Sequence, residues 1–184
     1  MKDWIGDRFG SRRGLARFVL HQVSWWLRPG RPPDAGLEGV TRLVFVCRGN
    51  ICRSAVAEAV ARTLDFPACS FGTRTHLGKP ANAGMAEAAA MLGYDLSGHR
   101  TTPLEHYTRA PGDLVLVFEP GHLDELRSGV GRKWQVALLG AWARPRRAYI
   151  HDPFDGTAQY YERVARLIQG AVANLVGEIR RQDA

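Results

Sequence analysis

Hydrophobic positions along this chain fall into runs of two kinds. Short apolar stretches, Leu43-Val44-Phe45-Val46 and residues 113–118 and 136–139, are broken by nothing polar once begun, and this predicts buried strands. Residues 68–71 make a further short strand. Between them lie stretches that favour helix: from Ser54 onward, over residues 81–92 up to Gly93, after Glu119-Pro120 as far as Leu126, and over residues 157–181. Strands alternating with helices at this spacing predict an α/β fold, a parallel sheet with helices on both faces.

Ahead of the first strand the period changes. Leu15, Phe18, Val19, Val23, Trp26 and Leu27 recur every three or four residues, while Arg12, Arg13, Arg17 and His21 fall largely elsewhere on the wheel. This predicts a basic amphipathic helix, stopped by the Pro- and Gly-rich linker of residues 29–36. The chain therefore divides into an extension, residues 1–38, and a main domain, residues 39–184. Two surfaces fit the apolar stripe. One is protein, the main domain or a second subunit, which the width of the stripe favours. The other is a membrane surface, with Trp4, Trp25 and Trp26 at headgroup depth and Arg meeting anionic lipid.

Composition narrows the class. The 184 residues are 45% hydrophobic and 23% charged, ordinary values for one domain with an appendage. The net charge of +7 would permit nucleic-acid contact, but the excess is mostly Arg spread along the chain, and no nucleic acid is expected. Three Cys, two of them in one short loop, make no disulfide framework and point to a reducing compartment. No apolar run reaches the roughly 18 residues of a membrane span, and no signal core precedes a cleavage site, so the expected location is the cytoplasm. His and Cys spacings show no metal-site pattern, and neither metal nor cofactor is expected.

The chemistry concentrates behind the first strand, in Cys47-Arg48-Gly49-Asn50-Ile51-Cys52-Arg53-Ser54. Gly49 and Asn50 tolerate positive φ and allow a tight loop that delivers its backbone N–H groups to a helix N-terminus. Such a nest, with the partial positive charge of the helix, suits a doubly charged oxyanion, and phosphate is the obvious guest. A thiol at Cys47 and a guanidinium at Arg53, five residues apart, can converge on that anion. Arg53 can hold two oxygens bidentately, and the same field favours the nucleophilic thiolate at Cys47.

The full string C-x-G-N-x-C-R-S on a strand–loop–helix resembles the signature of the low-molecular-weight protein tyrosine phosphatases. The resemblance spans residues 41–181. It implies a four-stranded sheet of order 2-1-3-4, with ligand binding beyond the C-terminal strand ends. It also implies a cysteinyl-phosphate mechanism with Cys47 as nucleophile and Arg53 and the loop amides of residues 48–54 holding the phosphate. His151-Asp152-Pro153-Phe154 matches the family's general-acid loop, so the resemblance makes Asp152 the acid; a carboxylate before proline is kept out of the following helix and can be aimed. By the same resemblance Asn50, Ser70 and His99 support the loop and Ser54 donates to the thiolate. His76 and Phe154 would wall the substrate cleft.

This chain departs from the pattern in three places. Thr75-His76-Leu77 stands where many animal members carry an aromatic residue, Phe154-Asp155 where two tyrosines often stand, and Ala55 where the motif has Pro. Loops without that aromatic residue are similar to those of the bacterial subgroup associated with exopolysaccharide-assembly tyrosine kinases. The expected substrate is a phosphotyrosine protein, with a membrane-bound tyrosine kinase as partner. Three other readings remain: a protein-arginine phosphatase, against which Ile51 stands where resembling members have Thr; an arsenate reductase, which lacks its downstream thiols here; and a non-catalytic phosphotyrosine-binding module, which would be expected to have lost Cys47, Arg53 or Asp152.

Overall fold

Strands form where the apolar runs lie: β1 (Arg42–Cys47), β2 (Ala68–Gly72), β3 (Asp113–Val117) and β4 (Val136–Leu138). The computed structural model describes residues 14–16, 19–20, 22–23, 36–128 and 134–182. Each neighbouring pair of strands is parallel, in the order β2-β1-β3-β4. The sheet is accompanied by the helices α1 (Arg53–Thr63), α2 (Ala83–Ala90), α3 (Pro120–Ser128) and α4 (Ala158–Gln182).

The uninterrupted apolar character of β1 and β3 is explained by burial on both faces. Leu43, Phe45 and Cys47 of β1 and Leu114 and Leu116 of β3 share a core with α1, α2 and α4. Alternate residues Val44, Val46, Val115 and Val117 face the other way, against Leu123 and Leu126 of α3 and against Val136 and Leu138. On α4 the buried residues Tyr160, Tyr161, Val164, Ile168, Val172, Leu175 and Ile179 recur every three or four positions, a stripe wide enough to cover α1 and α2 together. Leu37 and Val40, ahead of β1, are already buried in this core.

Three elements are shorter than their patterns, β3 only by Phe118. Helix α2 starts at Ala83 rather than residue 81 because the Asn82 side chain accepts from the Met85 N–H at 3.1 Å and caps it. Strand β4 ends at Leu138, and Leu139–Trp142 is a 3₁₀ turn whose Gly140 carbonyl accepts from Arg147 N–H at 2.8 Å. In the extension, residues 14–16, 19–20 and 22–23 are helical. Val19 and Val23 of the stripe are exposed, as is Leu20, and Gln22 Nε2 donates to the Arg146 carbonyl at 3.3 Å. Phe18, Trp25, Trp26, Leu27 and Trp4 lie outside the described residues.

The N-terminal ends of β1 and β3 are joined by charge. Arg42 Nε and Nη2 donate to the two Asp113 oxygens at 2.6 and 2.7 Å, and the Tyr107 hydroxyl and Ala110 N–H add bonds to Oδ2 at 2.8 and 2.7 Å. Burial alone would raise the Asp113 pKa, but the donors from Arg42, Ala110 and Tyr107 outweigh it and hold the carboxyl below its ordinary value. Replacing Asp113 with Ala leaves these half-buried donors without their acceptor and should cost about 1–3 kcal/mol in urea unfolding. Because the folded pKa is the lower one, the pair stabilises fully above the unfolded value of about 3.9 and loses this as pH falls through the folded value. The stability of Asp113→Ala should therefore fall less steeply in that acid range.

Candidate active site

Strand β1 delivers its chain to the C-terminal edge of the sheet at Cys47, and the loop to Ser54 runs straight into α1. The loop carbonyls are turned outward. Cys47 O accepts from Thr73 N–H at 2.9 Å, Arg48 O from Arg74 N–H at 2.8 Å, Ile51 O from Asn82 N–H at 2.8 Å and Cys52 O from Val56 N–H at 3.1 Å. The His99 ring holds Asn50 O through Nε2 at 2.6 Å. In a planar trans peptide the N–H of the next residue points opposite to the carbonyl. Pinning these carbonyls therefore turns the amides of Arg48, Gly49, Ile51, Cys52 and Arg53 toward the loop interior, which is the form of an anion nest.

Asn50 makes this turn possible. It is fully buried, sits at φ 53 and spends its side chain in three directions. Nδ2 donates to Ser54 Oγ and Ser70 Oγ, each at 2.8 Å, and Oδ1 accepts from Thr102 N–H at 2.8 Å. Since Asn50 supplies the proton to both serines, their own hydroxyl protons are free for other acceptors. Ser70 donates to Glu58 Oε2 at 2.6 Å, and Ser54 is left to donate to Cys47 Sγ at 3.1 Å. The Asn50 N–H also approaches Cys47 Sγ at 3.3 Å. Two donors thus face the sulfur of a residue that is 2% exposed. Gly72 abuts this loop so closely that a Cβ there would lie 2.7 Å from Thr75 Cγ2 and 3.1 Å from both Arg48 O and Asn50 Cβ.

Arg53 is 1% exposed. Nη1 donates to Glu119 Oε1 at 3.1 Å and to the Ile150 carbonyl at 3.0 Å, and Nη2 pairs with Asp152 Oδ2 at 3.0 Å. Burial works against its charge, but Asp152, Cys47 and Glu119 outweigh it and push the guanidinium pKa above its ordinary value. Its Nε is buried with no partner. The loop thus presents amides, a thiol and a guanidinium in one place, with a carboxylate at the rim.

A family model described as low molecular weight phosphotyrosine protein phosphatase matches residues 42–184. The chain belongs to this family. Among its relatives, the probable low molecular weight protein-tyrosine-phosphatase EpsP of Ralstonia nicotianae is 31% identical over 145 residues, covering 77% of this chain and 97% of that protein. Of solved structures, the tyrosine phosphatase Wzb from Escherichia coli K30 in complex with sulphate superposes with a TM-score of 0.65 at 26% identity, over 75% of this chain and 97% of Wzb. The YwlE arginine phosphatase from Geobacillus stearothermophilus shares the fold, with a TM-score of 0.66 at 23% identity over 77% of this chain and 94% of its own.

Within this family member the remaining expected site residues are placed as follows. Cys52 caps α1 with its side chain in the core, and burial, then Asp152 and Cys47, push its thiol pKa up, so the loop receives only its backbone. Arg48 is exposed and Ile51 half-buried, its Cγ1 folded over Gly49. Phe154 is 53% exposed beside Asp152, and its N–H donates to Asp152 Oδ1 at 3.4 Å. The His76 ring is exposed, and among the described residues no hydrogen bond or ion pair links it to Cys47, Arg53 or Asp152. Glu58, Thr102, Glu119 and His122 escaped sequence reasoning. The available signal for Glu119 was an acid directly behind a buried parallel strand, at the ligand side of the sheet.

Replacing Asn50 with Ala removes three side-chain bonds and puts a Cβ-bearing residue without local compensation at positive φ. The variant should lose about 10²-fold in kcat/KM on an aryl phosphate, the size of a lost oxyanion donor, while remaining folded by circular dichroism. Turnover within a fewfold of the parent would show the Asn50 bonds to be dispensable.

Proposed function

We propose that this chain hydrolyses phosphotyrosine in proteins through a cysteinyl-phosphate intermediate. The observation that carries this is the convergence of the Cys47 thiol, Arg53 and Asp152 around a loop whose Cys47, Arg48, Asn50, Ile51 and Cys52 carbonyls are held outward. The phosphate takes the inward amides and the Nε and Nη2 side of Arg53, displacing Asp152 from Nη2. Cys47 sulfur attacks phosphorus in line, the phosphorus–oxygen bond to the aryl group breaks, and Asp152 gives its proton to the departing phenolate. Asp152, now a carboxylate, then takes a proton from water as that water attacks phosphorus. The sulfur–phosphorus bond breaks and inorganic phosphate leaves.

An aryl ester suits the rim. Phe154 offers an exposed ring beside Asp152, and Ile51 places a branched apolar side chain over Gly49 where a phosphoarginine site would need room for a guanidino group. Rates on phosphotyrosine, phosphoserine and phosphoarginine peptides test this choice, and faster turnover of phosphoarginine would reverse it. Cys47→Ser should abolish turnover yet keep oxyanion binding, and any activity beyond a trace removes Cys47 from the nucleophile's role. Asp152→Asn should lower turnover about 10²–10⁴-fold on a poor leaving group and much less on an acidic phenol. Equal losses on both would take the acid role from Asp152.

The similarity to the exopolysaccharide-associated subgroup supports a membrane-bound tyrosine kinase as the protein substrate, met at the cytoplasmic face. No helix among the described residues is long and apolar enough to cross a membrane. The exposed Val19, Leu20 and Val23 leave part of the extension free to meet lipid or a second subunit. Deleting residues 1–36 should leave turnover of a small aryl phosphate within about twofold, because tethering changes local concentration and not the site. Loss of co-sedimentation with anionic vesicles would mark a lipid contact, and a smaller oligomer in sedimentation a protein one.

A further inference from the structure

Among the described residues Arg53 is the one arginine or lysine buried at the site, and a residue outside the loop holds one corner of its guanidinium. Its five N–H donors are distributed unequally. Nη1 spends its two on Glu119 Oε1 and the Ile150 carbonyl, at 3.1 and 3.0 Å. Nε and Nη2 form the side-on edge of the guanidinium, the edge that matches two oxygens of a phosphate. There Nε is buried and unpartnered, and Nη2 holds only the rim carboxylate of Asp152, whose side chain is 39% exposed. Fixing the Nη1 corner therefore aims the other edge.

Glu119 is built to do the fixing. It follows β3 by one residue, the buried Phe118, and precedes Pro120, which opens α3 with its φ preset, so its backbone is held on both sides. Its Oε1 also meets His122 Nε2 at 3.2 Å, one turn along α3. His122 is 7% exposed, and burial lowers its pKa, so the ring is neutral near pH 7 and donates Nε2–H to the carboxylate. Arg53 Cζ lies 5.7 Å from the Phe118 ring centroid, which supports the guanidinium from its face.

We propose that Glu119 is the positioning residue for Arg53, acting by the place of its acceptor oxygen and not by its charge; this rests on the phosphatase reading above. The charge of Glu119 opposes the binding of a dianion, so its presence against Arg53 is explained by orientation. A guanidinium fixed in advance loses no rotamer freedom when phosphate arrives and needs no reorganisation as charge develops on phosphorus.

Position and charge separate in two variants. Glu119→Asp keeps the charge but withdraws the carboxylate by one methylene, beyond reach of Nη1. Glu119→Gln keeps the acceptor oxygen in place and removes the charge. With inorganic phosphate as the probe in calorimetry, and kcat/KM on an aryl phosphate, Glu119→Asp should lose about tenfold or more in both, the effect of one lost hydrogen bond to a charged group. Glu119→Gln should recover most of that loss. Glu119→Met, of similar volume with no acceptor, carries the same expectation as Asp and replaces it if Asp does not fold by circular dichroism. An Asp variant that binds phosphate like the parent overturns the proposal, and so does a Gln variant as weak as Asp, since charge would then be what matters. A parent chain that neither binds phosphate nor turns over the aryl ester would instead bring down the phosphatase reading, and this inference with it.

Discussion

A dianion can be taken out of water only where donors surround it and no acceptor intrudes. In this chain that constraint is met by the backbone. Between Cys47 and Cys52, carbonyl after carbonyl is bound from outside, by Thr73, Arg74, His99, Asn82 and Val56, and the amides are left facing inward. The bonds come from different parts of the chain, so the loop has its shape only when the segments after β2, before α2 and around His99 are all in place. Asn50 connects these supports, since it alone both adopts the left-handed turn and bonds to Ser54, Ser70 and Thr102.

The two ends of the sheet use charge differently. At the N-terminal ends of β1 and β3, Arg42 holds both oxygens of Asp113, and Tyr107 and Ala110 take up the remaining acceptor capacity. At the C-terminal ends, Arg53 is left with a buried donor in hand. A saturated pair stabilises the fold. An unsaturated one is a cost to the folded chain that a ligand can relieve.

Much of the fold was legible because its signals are local. Leu43 to Val46 needed only their own apolar run to read as a strand, and the Gly49-Asn50 turn into an alanine-rich helix followed from neighbouring residues. Asn82 shortened α2 through a side-chain cap, a contact that competes with helix pattern at the level of a single residue. At the site, residues within the loop and before Pro153 could be read from spacing, and Glu119 was marked only by its place behind a buried apolar run, whereas Thr102 and Glu58 reach the site from positions whose chain neighbours give no chemical hint. Glu58 reads as a surface partner of Arg62 four residues on, and it does pair with it at 2.7 Å. Only the fold shows that its other oxygen receives the Ser70 hydroxyl.

Ser70 lies on β2, and β2 is the outermost strand on its side of the sheet. Its outer edge is held at the ends, where Arg62 reaches the Ala68 carbonyl and Gly72 meets Thr102 and Pro103. Edge strands open at lower free energy than the strands they flank. Were β2 to detach, Ser70 would leave Asn50 and Thr73 would leave the Cys47 carbonyl. Warming would then silence the chain before it melts, and amides of β2 would exchange with solvent ahead of those in β1 and β3.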